Sequence, residues 1–284
     1  MSLKIFMRTY YRLLIVSLCI INNVSAVFHN YLELVKNFEE KISLGKIHEK
    51  VISKPFLNEE KLYSLVKIAE EMSEYYPNDT HIVYGLGNTP SLLIATLQLL
   101  NKDFYDTYRS IAFSNGEIFT EDFIDSEEFN STKKHFHSYL DSIGLNPFIV
   151  QNKQETIVIT DIVARGSSIK GFMKVLQNYY DKELGTRESE KVLQKKFIFH
   201  LFKIAYEPSL DRNPDYIIEW AKPKTFFYNA DDILIRYADT KDSKRLIPSF
   251  SYEQWKTLIP HFYSLPTNAI GLVKKIKDYL EEIS

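Results

Sequence analysis

The chain has 284 residues, of which 45% are apolar, 25% charged and 14% aromatic, and its formal net charge is −2. This balance excludes a disordered tail, and it lacks the Lys and Arg excess with which a nucleic-acid coat displaces counterions. Nine glycines and ten prolines exclude collagen-like and low-complexity architecture.

In chain order, the first expected element is a leader. Lys4, Arg8 and Arg12 precede an apolar stretch from Leu13 to Ile21, followed by the small-residue end Val24-Ser25-Ala26. This is the pattern of a secretory signal peptide over residues 1–26, so a secreted or periplasmic protein is expected. An uncleaved anchor or a buried first helix is the plainer alternative. No later run approaches ~18 apolar residues, so no membrane span is expected after cleavage. Lys4, Arg8 and Arg12 are the only charges in 1–26, so cleavage lowers the basic count from 35 to 32 against 37 acidic residues. The only cysteine, Cys19, leaves with the leader, which excludes disulfides, thiol nucleophiles and Cys-ligated zinc from the mature chain.

Residues 28–75 read as largely helical, with a second helix capped by Asn58 and running through Leu62, Leu65 and Val66 to Tyr75. A short strand begins at His81, a helix runs from Pro90 to Leu100, and Ser110 to Ser114 is a further strand ended by Asn115-Gly116. An acidic stretch, 117–130, leads into a helix over Ser131–Ile143. Glu155 to Val163 is a strong strand in which Ile157, Val158, Ile159, Ile162 and Val163 are apolar and β-branched, the mark of a strand buried on both faces in a parallel sheet. A helix over Ser168–Tyr180, a charged loop over 181–194, strands in Phe197–Ile204 and Thr225–Ile235, and helices near Tyr252–Leu258 and Thr267–Ile283 complete the reading. The expected fold is α/β, a mainly parallel sheet flanked by helices. Residues 27–78 form a helical extension, 79–240 the α/β domain and 241–284 a C-terminal helical segment.

Two strand-to-helix turns carry chemistry. The first spans Ile157 to Ile169. Here a buried strand bears Asp161, a short loop carries Arg165, Gly166, Ser167 and Ser168, and a helix starts. Free amides at a helix start, the helix dipole and nearby hydroxyls favour an anion such as phosphate, whereas a carboxylate suits a sugar hydroxyl or a magnesium ion. The second turn is Gly85-Leu86-Gly87-Asn88, followed by Thr89-Pro90-Ser91. Common motifs fail letter by letter. Phe172 and Met173 stand where a P-loop needs Lys and Ser/Thr, Lys170 where a nucleophile elbow needs glycine, and Pro90 where a dinucleotide fingerprint needs its third glycine. An ordinary βα turn without a ligand is the plain reading of both segments.

The first segment resembles the phosphoribosyl-diphosphate (PRPP) binding loop of the type I phosphoribosyltransferase family. The match comprises the apolar run, Asp161 at the second acidic position, Ile162-Val163, Gly166 and a terminal hydroxyl at Ser168. The resemblance implies that Asp161 holds ribose and is the catalytic-site acid, and that Ala164, Arg165, Gly166, Ser167 and Ser168 hold the 5′-phosphate. It further implies that Gly85, Leu86, Gly87 and Asn88 form the diphosphate loop and that Mg²⁺ accompanies the ligand. Two positions depart from the family pattern: Thr160 replaces the first acid, and Arg165 the usual threonine.

Other candidates read as structural. His135 and His137 are two apart on a helix and point in different directions, and Asp231-Asp232 reads as a solvated turn. Two functional readings follow. One is an exported phosphoribosyltransferase-like protein that binds a phosphorylated ribose or nucleotide, with Mg²⁺-dependent pentosyl transfer. The other is a catalytically inactive protein of that fold acting in binding or interaction, for example a secreted bacterial factor acting in a host. A homodimer is compatible with both, and a nucleic-acid partner is not expected.

Overall fold

The structure is a computed structural model and describes residues 58–114, 116–163, 166–203, 216–229 and 267–283, together with Lys36, Glu39 and Glu40. The expected leader, the helix near Phe28–Phe38 apart from those three residues, Asp231-Asp232 and the helix near Tyr252–Leu258 lie outside the described residues.

Helix α1 (Glu59–Tyr75) starts where the Asn58 side chain accepts from the Lys61 amide at 3.1 Å. Glu59 and Glu60 in its first turn complement the helix dipole. After β1 (His81–Leu86) and α2 (Ser91–Leu100), β2 spans Tyr108–Ile111, earlier than the expected Ser110–Ser114. The acidic stretch 117–130, to which the sequence assigns no element, is mostly helical. Thr120 caps α3 (Glu121–Ile124) and Ser126 caps α4 (Glu127–Ser142), each accepting from an amide three residues on. The acidic residues there are first-turn charges at two helix N-termini. Asn146 caps the short helix α5 (Pro147–Asn152).

Strand β3 (Thr156–Val163) leads into α6 (Ser167–Leu184), which ends at Gly185 with φ +78°. Helix α7 (Thr186–Lys196) follows at once. The charged loop expected over 181–194 is therefore the end of one helix and most of another. Few of its residues are buried, chiefly Ser189, Val192 and Leu193, so the inward stripe is narrow. Strand β4 (Phe197–Lys203) precedes a 3-10 turn over Glu219–Lys224 and β5 (Thr225–Asn229), and α8 spans Thr267–Ile283.

The five strands form one sheet in the order β2-β1-β3-β4-β5, and every pairing is parallel. Helices cover both faces, as a parallel sheet requires. Ile157, Ile159 and Val163 of β3 point into a core shared with α3 to α7. Val158 and Ile162 point into a second core with α1, α2 and α8. Among the described residues, no helix is long and apolar enough to cross a membrane.

Candidate functional site

The order of the sheet reverses between β1 and β3, which lie side by side with Gly85 opposite Thr160. From β1 the chain leaves through α2, on one face, to β2. From β3 it leaves through α6, on the other face, toward β4. The two departing connections part at the carboxyl ends of these strands, where open α/β sheets form their ligand crevice. Both turns singled out in the sequence therefore lie at this point.

In the β3–α6 turn, Gly166 adopts φ +71° and caps α6 without any side-chain acceptor. The Gly166 carbonyl already accepts from the Lys170 amide at 3.0 Å. The first amides of this 18-residue helix thus have no intrahelical partner and, among the described residues, no capping side chain. Ser167 and Ser168 are half-buried at this end, while Ala164 and Arg165 lie outside the described residues.

Two neighbours frame the turn. The Tyr216 ring packs against Gly166, where a Cβ would come within 2.2 Å of it, and Gly116 packs against the Ser167 carbonyl and the Ser168 Cα. Glycine at 166 thus meets two needs: a left-handed backbone and room for an aromatic ring. Neither Tyr216 nor the packing role of Gly116 is signalled in the sequence, because both contacts join segments distant along the chain.

Thr160 and Asp161 are parted by the strand. β3 continues to Val163, so consecutive side chains still alternate between faces. Asp161 falls on the α6 face and is 5% exposed, and its Oδ1 accepts from the Ile162 amide at 2.8 Å. Burial raises its pKa to about 8, so the carboxyl is mostly neutral at neutral pH. The nearby Tyr216 hydroxyl is buried without a hydrogen-bond partner among the described residues, and burial together with the Asp161 charge pushes its pKa to about 12.

Thr160 falls on the opposite face, fully buried, in register with His200. There the Tyr76 hydroxyl lies 3.0 Å from His200 Nδ1 and the Tyr228 ring stacks at 3.8 Å, while burial holds the imidazole neutral, with a pKa of about 3. Thr160 therefore does not join Asp161 in one ligand pocket.

The β1 turn is built more for packing than for donating. Gly85 lies within the strand under α2, where a Cβ would meet Ile94 Cγ1 at 2.6 Å, and Leu86 is buried in the core. Gly87 adopts φ +71° and donates its amide to the Ile111 carbonyl at 2.8 Å. The Asn88 carbonyl accepts from the Ser91 amide and hydroxyl. The Gly87 amide is thus committed within the protein.

The donor set does not fit a protein-held magnesium ion. Among the described residues a single buried carboxyl, that of Asp161, stands at this strand end, so the other oxygens such an ion needs would come from a ligand's phosphates and water. No group of three or more His, Cys, Asp or Glu residues placed to hold a metal occurs among the described residues. Of the expected residues, the structure brings Gly166, Ser167, Ser168 and Asp161 to one strand end, with the β1 turn adjacent. Comparison with known proteins finds no match among protein-family models, curated proteins or solved structures.

Proposed function

We propose that the protein binds a phosphorylated ribose, free or as part of a nucleotide, with the phosphate at the start of α6. The reading rests on one observation. An uncapped 18-residue helix begins with a left-handed glycine directly behind β3, at the strand-order reversal of a fully parallel sheet. Free amides and the helix dipole together favour an anion there. Asp161, when protonated, has a hydroxyl to donate to a sugar oxygen and a carbonyl to accept from one, which suits a pentose better than a cation.

Binding without turnover is the favoured form of this reading. Pentosyl transfer would demand charge stabilisation at the sugar as diphosphate leaves. One neutral carboxyl and a β1 turn whose Gly87 amide is already used supply little of it. Any magnesium would arrive with a diphosphate ligand rather than wait on the protein.

Calorimetric titration with ribose 5-phosphate and with phosphoribosyl diphosphate, with and without Mg²⁺, tests the reading. Ser168→Asp places a negative charge in the phosphate seat, yet an acidic side chain in a first helical turn is worth about 0.3–1 kcal/mol of stability. The expected result is at least a tenfold loss of affinity with an unchanged or raised melting temperature. Equal binding by Ser168→Asp and the unaltered chain, or no heat at millimolar ligand, would contradict the reading.

A further inference from the structure

One buried histidine ties the end of α1 to the sheet. His200 of β4 is 2% exposed and lies on the face that α1, α2 and α8 cover. Its Nδ1 is 3.0 Å from the hydroxyl of Tyr76, the residue that closes α1. Its ring stacks on that of Tyr228 in β5 at 3.8 Å, with an interplanar angle of 6°, and meets Tyr76 edge-on at 5.5 Å. The imidazole is therefore the polar seat on which the carboxyl end of α1 rests.

That seat has no provision for a charged ring. His200 Nε2 is buried with no hydrogen-bond partner among the described residues, and so is the hydroxyl of Thr160, its register neighbour on β3. A neutral imidazole accepts at Nδ1 from the Tyr76 hydroxyl. A protonated one has two N–H groups to place and a charge to bury. The titratable groups that face the ring or its partners are Tyr75 and Tyr76 at the end of α1, Tyr228 of β5, and His81 of β1, whose ring meets Tyr76 at 5.4 Å. None of them carries a carboxylate. Helix α2 has no charged residue, and on α8 Lys274 pairs with Asp278, and Lys277 with Glu39 and Glu281. Burial alone lowers the His200 pKa from an ordinary 6.5 to about 3.

We propose that this contact is a pH-sensitive latch: the carboxyl end of α1 stays closed on the sheet while His200 is neutral and opens as the ring takes up a proton. Above about pH 6.5 the closed and open forms bind equal numbers of protons at this ring. Below it the open form gains a proton that the closed form excludes, so opening is favoured by up to about tenfold per pH unit. By pH 5 the opening equilibrium should have risen about thirtyfold. Leu65, Ala69 and Met72 of α1 stay packed in the core, so the opening is local to the last turn. Asp161 lies on the other face of the sheet and is relieved by acid, which makes a local readout more decisive than overall stability. The latch is independent of phosphate binding at α6.

Hydrogen exchange on the full chain tests it at the Tyr76 amide, which donates to the Met72 carbonyl at 2.9 Å. Divided by its intrinsic rate, exchange there should rise by roughly tenfold or more from pH 6.5 to pH 5. The Leu176 amide of α6 should not follow. His200→Phe keeps an aromatic ring for the stack and takes up no proton, so its Tyr76 profile should be flat. His200→Gln serves the same purpose if the phenylalanine variant does not fold. A flat Tyr76 profile in the unaltered chain would overturn the proposal. So would an equal rise in the variant, which would pass the effect to His81, or an equal rise at Leu176, which would mean global unfolding.

Discussion

Gly171→Ala is expected to destabilise the folded chain by about 1–3 kcal/mol, although it replaces a helix-interior glycine by the best helix former. Helix propensity alone would favour alanine by about 1 kcal/mol. Packing opposes it, because a Cβ at 171 would lie 2.3 Å from the Gly116 carbonyl oxygen and 2.7 Å from its Cα. Both are backbone atoms, so no side-chain rotation relieves the clash. Either α6 or the turn over Gly116–Ile118 must move. The same turn packs on Ser167 and Ser168, so the displacement also loosens the proposed phosphate seat. Urea unfolding measures the outcome. A variant more stable than the unaltered chain would show that the turn yields freely and does not fix the start of α6.

Asp161→Asn is expected to remove a pH dependence worth several kcal/mol. The folded pKa of Asp161 is about 8 against an ordinary 3.8, the shift being caused by burial and only partly offset by the Ile162 amide. Below about pH 4 the carboxyl is protonated in both folded and unfolded chains and carries no penalty. Between about pH 4 and 8 the unfolded chain gives up the proton while the folded chain keeps it. Stability then falls with rising pH by up to about 1.4 kcal/mol per unit. Above about pH 8 both forms are ionised and the loss levels off. The asparagine variant keeps an oxygen for the Ile162 amide and has no such slope. Its stability relative to the unaltered chain should rise from pH 4 to pH 8, and urea midpoints across that range measure it. Parallel profiles would mean that Asp161 is well solvated or has a cationic partner.

The sequence-based reading succeeded where the signal is local. The apolar, β-branched residues from Ile157 to Val163 mark the central strand, and Asn58 marks a helix start that forms as expected. It failed where charge outweighed periodicity. Thr120 and Ser126 are ordinary N-caps, but the acidic residues after them hid the helix starts, so the helix was expected only from Ser131. Helix α7 buries Ser189, Val192, Leu193 and Lys196 at helical spacing, but only two of them are apolar, so the charged residues dominated and 181–194 read as a loop. The separation of Thr160 from Asp161 was legible in principle. A strand that continues to Val163 sends consecutive residues to opposite faces, whatever family pattern they resemble. The Tyr216 ring over Gly166 was not legible, since nothing in the 49 residues between them announces the contact.

The same distinction applies to the site. Glycine and serine at a strand-to-helix turn are visible in sequence, but whether the first amides stay unpartnered depends on tertiary packing. Gly166 and Gly87 look alike in the sequence, and both adopt φ +71°. The Gly87 amide is drawn to the Ile111 carbonyl, whereas the turn at Gly166 opens a helix that no side chain among the described residues caps.

Amide NMR of the isotope-labelled chain tests the central claim most directly. Ribose 5-phosphate added to saturation should shift the amide resonances of Gly166, Ser167, Ser168 and Ile169 more than any others, and Ser168→Asp should abolish those shifts. Undisturbed amides at the start of α6 in the presence of millimolar ligand, or shifts centred on another element, would contradict the account.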